Sequence, residues 1–250
     1  MSTISFLMEG ATARGLFYSL SLTTDAMQDA GFVRQAFAGI ASRYVLANHV
    51  LSLGIDCLWR RTTARRIQQL KPARVLDLAT GSGDLSQAVQ AACPDAKILG
   101  ADFSVPMMRE AQKRGLRPLV AADGMNLPFQ DASFDVLTVA FGLRNMASWP
   151  TALQEMSRVL RPGGRLFVLD FSIPRIPGVR QAYLFYLKHV MTRIAGWITG
   201  KREAYVYLCG SIEKFPSGRD MNALICANGF QTAIATPLTL GIASLYEAVK

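Results

Sequence analysis

Five short, almost wholly apolar runs, separated by stretches of helical character, decide which folds are open to this sequence. They lie at residues 74–79, 97–103, 118–122, 134–141 and 165–171. Runs without a polar alternate suit strands covered on both faces, as in a parallel sheet. Residues 84–93, 105–115 and 149–160 between them carry helical periodicity. The alternation predicts a doubly wound α/β domain. Residues 221–228 read as a further helix ending at Gly229. Residues 231–236 and 243–249, separated by a loop with Pro237 and Gly241, read as an antiparallel C-terminal hairpin on the sheet edge. Residues 1–70 read as helices preceding the sheet, and 179–200 as a long helix inserted after the fifth strand.

A protein of 250 residues, half of them hydrophobic, builds one domain with a full core, which excludes intrinsic disorder. Cys57, Cys93, Cys209 and Cys226 form no CxxC pair, and only His49 and His189 could assist them. That argues against a zinc site and a disulfide framework, and points to buried apolar cysteines in a reducing, cytoplasmic setting. No cluster of metal-ligand type is visible. The first 30 residues lack the basic and apolar regions of a signal peptide. The uncharged stretch 221–246 is interrupted by Asn222, Asn228, Gly229, Gln231, Pro237 and Gly241, so it does not span a membrane.

The chemistry is concentrated after the first strand, in Asp77-Leu-Ala-Thr-Gly-Ser-Gly-Asp84. Gly81 and Gly83 let the backbone turn sharply and approach a ligand without a Cβ in the way. The next helix offers free N–H groups in its first turn. A dinucleotide fingerprint needs a third glycine where this sequence has Ser86. Asp102, ending the second strand, can accept hydrogen bonds from both hydroxyls of a ribose. After the third strand, Ala122-Asp-Gly-Met-Asn-Leu-Pro-Phe129 places Asp123 where it can bind the exocyclic amine of an adenine. Ser133-Phe-Asp135 and Arg161-Pro-Gly-Gly-Arg165 flank the fourth and fifth strands.

Taken in order, these motifs resemble class I S-adenosylmethionine-dependent methyltransferases. The resemblance implies a Rossmann-like, mostly parallel seven-stranded sheet, with S-adenosyl-L-methionine as cofactor and S-adenosyl-L-homocysteine as product. A finer resemblance lies outside the loop. Phe37-Ala-Gly-Ile-Ala-Ser-Arg-Tyr44, Asn48, Ser52-Leu-Gly54 and Trp59-Arg-Arg61 are similar to the opening block of the ubiquinone/menaquinone biosynthesis C-methyltransferases, the family of the demethylmenaquinone methyltransferases. So are Phe141-Gly-Leu-Arg-Asn145, the Ala152–Gly164 block, Tyr207-Leu-x-x-Ser-Ile212, Phe215-Pro216 and Gly229-Phe230.

The family's cofactor residues then fall on Gly81, Ser82, Gly83, Asp102, Phe103, Asp123 and Gly124. The implied acceptor is the ring of a lipophilic, polyprenylated quinol, most simply demethylmenaquinol, or its counterpart on the ubiquinone pathway. The other reading is a specialised aromatic small molecule taken over from the same chemistry. Methylating a ring carbon requires the adjacent hydroxyl to lose its proton, so the site has to favour an oxyanion. Arg144 fits that role by charge, with an ion pair tying the sheet to a helix as the alternative. Asn145 and Tyr44 are the groups that would hold the hydroxyl or an ordered water. Trp59-Arg-Arg61 reads as structural. Val45, Asp56 and Ala140 stand where the family usually has Asp, His and Ser, and bear on acceptor choice.

Lys and Arg number 27 against 18 Asp and Glu, a formal charge of +9. Part of the excess lies in 179–200, which has no acidic residue and an apolar face of Tyr183, Phe185, Tyr186, Leu187, Val190, Met191, Ile194 and Trp197. That composition fits a peripheral membrane contact or a helix packed on the core with a solvated basic face. No RNA- or DNA-binding motif accompanies the charge, so nucleic acid is not an expected partner. The first 30 residues, outside the family pattern, are open to reading as a lid, an arm for homodimerisation or a flexible tail.

Overall fold

The computed structural model describes residues 52, 54–191, 193 and 202–250, with backbone alone for 202–206. Tyr44, Val45, His49, Ile194, Trp197 and the first 30 residues lie outside this set. In sequence order come α1 (Ile55–Gln68), β1 (Arg74–Leu78), α2 (Asp84–Ala92), β2 (Lys97–Asp102), α3 (Val105–Lys113), β3 (Leu119–Ala121) and β4 (Phe134–Ala140). A 3₁₀ turn, Leu143–Asn145, leads to α4 (Trp149–Val159), β5 (Leu160–Phe171), α5 (Pro177–Phe185), α6 (Arg202–Lys214), α7 (Arg219–Ala227), β6 (Thr232–Leu238) and β7 (Ala243–Val249).

The strands form one seven-stranded sheet in the order β3-β2-β1-β4-β5-β7-β6. β1 to β5 are parallel, β7 runs against β5, and β6 runs against β7. Two reversals bring β6 back into the direction of the first five strands. Only β7 is antiparallel to its sheet, and it is wedged inside β6 rather than lying on the edge.

Alternating side chains feed two cores. Val75, Val136, Phe167 and Leu245 point to the face covered by Trp59 and Ile67 of α1 and Leu85 and Val89 of α2. Their neighbours Leu76, Leu137, Val168 and Tyr246 point to the other face, against Leu153 and Met156 of α4 and Met221 and Ile225 of α7. A strand that is apolar in both registers is what two covered faces demand. Trp59 Nε1 also donates to Thr239 Oγ1 at 2.8 Å, tying α1 to the β6–β7 turn.

Two elements depart from the sequence expectation. The fifth strand begins at Leu160, not at Arg165, because Arg161-Pro-Gly-Gly164 is an irregularity inside it. The register with β4 jumps from Phe134–Leu160 to Val136–Arg165. Gly163 N donates to Lys250 O and Lys250 N to Gly164 O, both at 3.0 Å, and Arg161 pairs with Asp135. The motif therefore anchors Lys250. The long helix starts at Pro177, and from Tyr186 to Met191 its hydrogen bonds widen into a π-helical turn. Tyr183, Leu187 and Met191 are buried there against Cys209 and Ile212 of α6. Phe185 is 62% exposed, and the basic Lys188 is bridged to Glu213 at 2.8 Å.

Candidate active site

The order of parallel strands reverses between β1 and β4, and a pocket opens there at their carboxyl ends, where such sheets bind ligands. Its floor is the loop after β1. Asp77, fully buried on β1, accepts hydrogen bonds from Thr80 Oγ1 at 2.8 Å, Ser86 Oγ at 2.5 Å and Thr138 Oγ1 at 2.7 Å. Burial raises the Asp77 carboxyl above its ordinary value, while these hydroxyls and the charge of Arg60 pull it back. The Ser86 that argued against a dinucleotide fingerprint is thus a strut between α2 and β1.

Above this strut the backbone turns through Gly81 and Gly83, at φ +57° and +85°. A Cβ on Gly83 would come within 2.9 Å of Leu116, so glycine is needed for space as well as for conformation. The Ser82 hydroxyl donates to Asp84 Oδ2 at 2.7 Å, and Asp84 is bridged to Arg114 at 2.7 Å. Burial opposes the Asp84 charge, but the Ser82 hydroxyl and the Arg60 and Arg114 guanidiniums outweigh it and hold the carboxyl below its ordinary value.

Asp102 closes the loop from β2. Its Oδ2 accepts from Gly81 N and its Oδ1 from Ser104 N, each at 2.7 Å. Burial pushes this carboxyl up, the two backbone amides oppose it, and the charge of Asp77 adds to the rise. The Phe103 backbone amide acts on the carboxylate as well, which with about four lone-pair sites keeps capacity for a ligand. Asp123 is partly buried on the pocket wall, accepting from Met125 N at 2.9 Å. A Cβ on Gly124 would strike Met146 at 2.8 Å, so glycine is needed here for the Met146 side chain to pack against the backbone beside Asp123.

Gly81, Ser82, Asp102, Phe103, Asp123, Gly124 and Asn145 all border this pocket. Gly83 sits just behind it. Arg144 is not among the lining residues. Its side chain is 1% exposed, and Nη1 donates to Asp170 Oδ1 at 2.7 Å and to Phe141 O at 2.6 Å. The guanidinium lies over the Phe171 ring. The pairing joins the turn after β4 to the end of β5, a tie of sheet to turn rather than of sheet to helix. Asn145 is held at both ends of its amide: Oδ1 accepts from Tyr207 at 3.3 Å, and Nδ2 donates to Phe141 O at 3.4 Å.

Sequence reasoning passed over four residues. Asp77 stood in the quoted motif without a role. Ser104 lines the pocket with a buried hydroxyl that has no partner among the described residues. Tyr207 reaches Asn145 from α6. Arg60 reaches the pocket from α1, whereas Trp59 is buried and Arg61 exposed as structural residues would be. Asp77, Arg60 and Tyr207 each stood in a motif that carried the family resemblance, but without a role at the site.

Residues 23–250 match the ubiE/COQ5 methyltransferase family. The protein belongs to that family. It is an S-adenosylmethionine-dependent methyltransferase. The demethylmenaquinone methyltransferase of Thermus thermophilus is 42% identical over 84% of this sequence and 97% of its own length. That of Deinococcus radiodurans is 42% identical over 89% and 95%. The ubiquinone/menaquinone biosynthesis C-methyltransferase of Geotalea daltonii is 38% identical over 87% and 96%. Among solved structures, an S-adenosylmethionine-dependent methyltransferase of Thermotoga maritima superposes with a TM-score of 0.59 at 16% identity, covering 86% of this protein and 99% of that one, a likeness of fold.

The residues fit the family's cofactor. The Asp102 carboxylate, with acceptor capacity left beyond its backbone amides, suits a ribose hydroxyl, Asp123 on the pocket wall suits the adenine amine, and the unpartnered Ser104 hydroxyl can take a further polar contact. Among the described residues, no helix is long and apolar enough to cross a membrane.

Proposed function

We propose that this enzyme methylates a ring carbon of a polyprenylated quinol, with demethylmenaquinol as the simplest acceptor. The observation that carries the reading is near full-length similarity to proteins named for that reaction, combined with a pocket that pairs aspartates with an apolar wall of Phe141, Met146 and Ala140. S-adenosylmethionine supplies a methyl group on an electrophilic sulfonium. Asp102 would orient it through the ribose and Asp123 through the adenine.

On the acceptor side, Asn145 is the residue at the pocket wall. With Oδ1 and one amide hydrogen engaged, its second amide hydrogen can hold the acceptor oxygen as the proton leaves. Arg144 acts from behind as a positioning residue. It pins the carbonyl of Phe141, to which the Asn145 amide is also bound. Tyr44 keeps its assignment as a second holder of the hydroxyl.

An acceptor with a long apolar tail has to be collected from a membrane. Ile176, Phe185 and Leu240 are 51%, 62% and 64% exposed, and Arg175 and Arg180 lie in the same stretch as the first two, which supports a peripheral membrane contact. The test is incubation with labelled S-adenosylmethionine and a panel of quinols, naphthoquinols and simple phenols. Label on the ring carbon of demethylmenaquinol is expected. Transfer to a phenol alone would replace the reading with that of a specialised aromatic acceptor.

A further inference from the structure

We infer that Arg60, oriented by Asp56, is the subsite for the carboxylate of the cofactor's amino-acid tail. The inference rests on the cofactor assignment above and extends it to the end of the pocket that Asp102 and Asp123 do not reach.

Charge makes the first argument. Asp77, Asp84, Asp102 and Asp123 border the pocket, and among the described residues Arg60 is the one cationic group that does so. The aspartates favour the cofactor's sulfonium and ammonium and repel its carboxylate. In a partly buried site an anion among four acids needs a fixed cation beside it.

Placement makes the second. With ribose at Asp102 and adenine at Asp123, the tail extends the other way, towards Asp84, Leu85 and α1. Arg60 stands at that end, close enough for its charge to favour the ionised forms of both Asp77 and Asp84.

Preorganisation makes the third. Arg60 is 9% exposed, its Nη1 is bound to Asp56 Oδ2, and its guanidinium lies 5.2 Å from the centre of the Phe141 ring. Asp56 is fixed in turn, its Oδ1 accepting from Ser52 Oγ at 2.6 Å. A guanidinium has five donors in a rigid plane, so one edge can serve Asp56 while another receives a second carboxylate. A cation already held in place loses little freedom when the ligand arrives.

Calorimetry with two ligands tests this. S-adenosylhomocysteine carries the full tail, and S-adenosyl-3-thiopropylamine keeps the adenosine and the ammonium but lacks the carboxylate. The wild type should prefer the first by about tenfold or more. In Arg60→Gln that preference should vanish while the affinity for the amine is kept. The double variant Asp56→Asn, Arg60→Gln, which leaves no buried acid without its cation, should behave likewise. A preference that survives in both variants overturns the proposal, as does an equal loss of both ligands, which would make Arg60 a support of the fold. A wild type that binds neither ligand would remove the cofactor assignment itself, and the subsite with it.

Discussion

Arg144 Nη1 and Asp170 Oδ1 meet at 2.7 Å with both groups closed to solvent, joining the turn after β4 to the end of β5. Burial pushes Asp170 up and the guanidinium opposes it, so neither charge is comfortable without the other. Arg144→Met is expected to destabilise the fold by about 3–5 kcal/mol by leaving a buried acid unpaired. Adding Asp170→Leu should recover most of that loss. Denaturant unfolding of the two variants measures both numbers. If the positioning role holds, the double variant stays slow in single turnover even with its stability restored.

With Asp102 as the proposed ribose acceptor, Asp102→Ala removes that contact and frees the Gly81 and Ser104 amides. Each charged hydrogen bond is worth about 1.5–3 kcal/mol, so binding of S-adenosylmethionine should fall below detection in calorimetry. Asp123→Ala should weaken it more mildly, since the adenine keeps its apolar contacts. An unchanged dissociation constant for Asp102→Ala would contradict the assignment.

Acid should impair binding earlier than an ordinary aspartate would allow. Burial raises Asp102, and ribose hydroxyls donate more strongly to its ionised form than to the neutral acid. Affinity is therefore full above the raised value and declines by up to about tenfold per pH unit below it. Because binding favours the ionised acid, protons leave the protein on complex formation at mildly acidic pH. Calorimetry in two buffers of different ionisation enthalpy detects that release; identical apparent enthalpies would argue against it.

Thr138→Val keeps the shape of β4 but takes one of three hydroxyls from the buried Asp77. The expected cost is about 1–3 kcal/mol of stability, read from thermal unfolding. The glycine loop should loosen too, with weaker cofactor binding.

Ala79 and Gly142 touch where the loops after β1 and β4 cross. Ala79 sits at φ +53°, a left-handed conformation that costs a non-glycine residue about 1 kcal/mol, so Ala79→Gly should be neutral or stabilising. A Cβ on Gly142 would lie 2.4 Å from that of Ala79, and Gly142→Ala should cost about 1–3 kcal/mol. Opposite signs in melting temperature are the expected result.

The strands were legible in the sequence because a covered strand must be apolar on both sides, as Val75 and Leu76 or Phe167 and Val168 are. Gly81 and Asp102 were legible for a related reason: the end of a strand places a residue in space as well as in sequence, so local spacing predicts their neighbourhood at the pocket. The same logic fails for β5, where four residues loop out to catch Lys250, a contact local pattern cannot encode. It fails more seriously at charges whose partners are remote in sequence. For Arg144 the sequence leaves an acceptor-facing role and an ion pair both open, because its partner Asp170 is 26 positions away and only the fold brings it beneath the guanidinium. Arg60 read as part of a structural block until packing of α1 brought it to the glycine loop. Apolar periodicity and strand ends were therefore determined by the sequence alone, because burial and strand direction act locally. Which charges meet each other and which meet a ligand was decided by the tertiary structure, because the energy of a charge depends on whatever the fold places beside it.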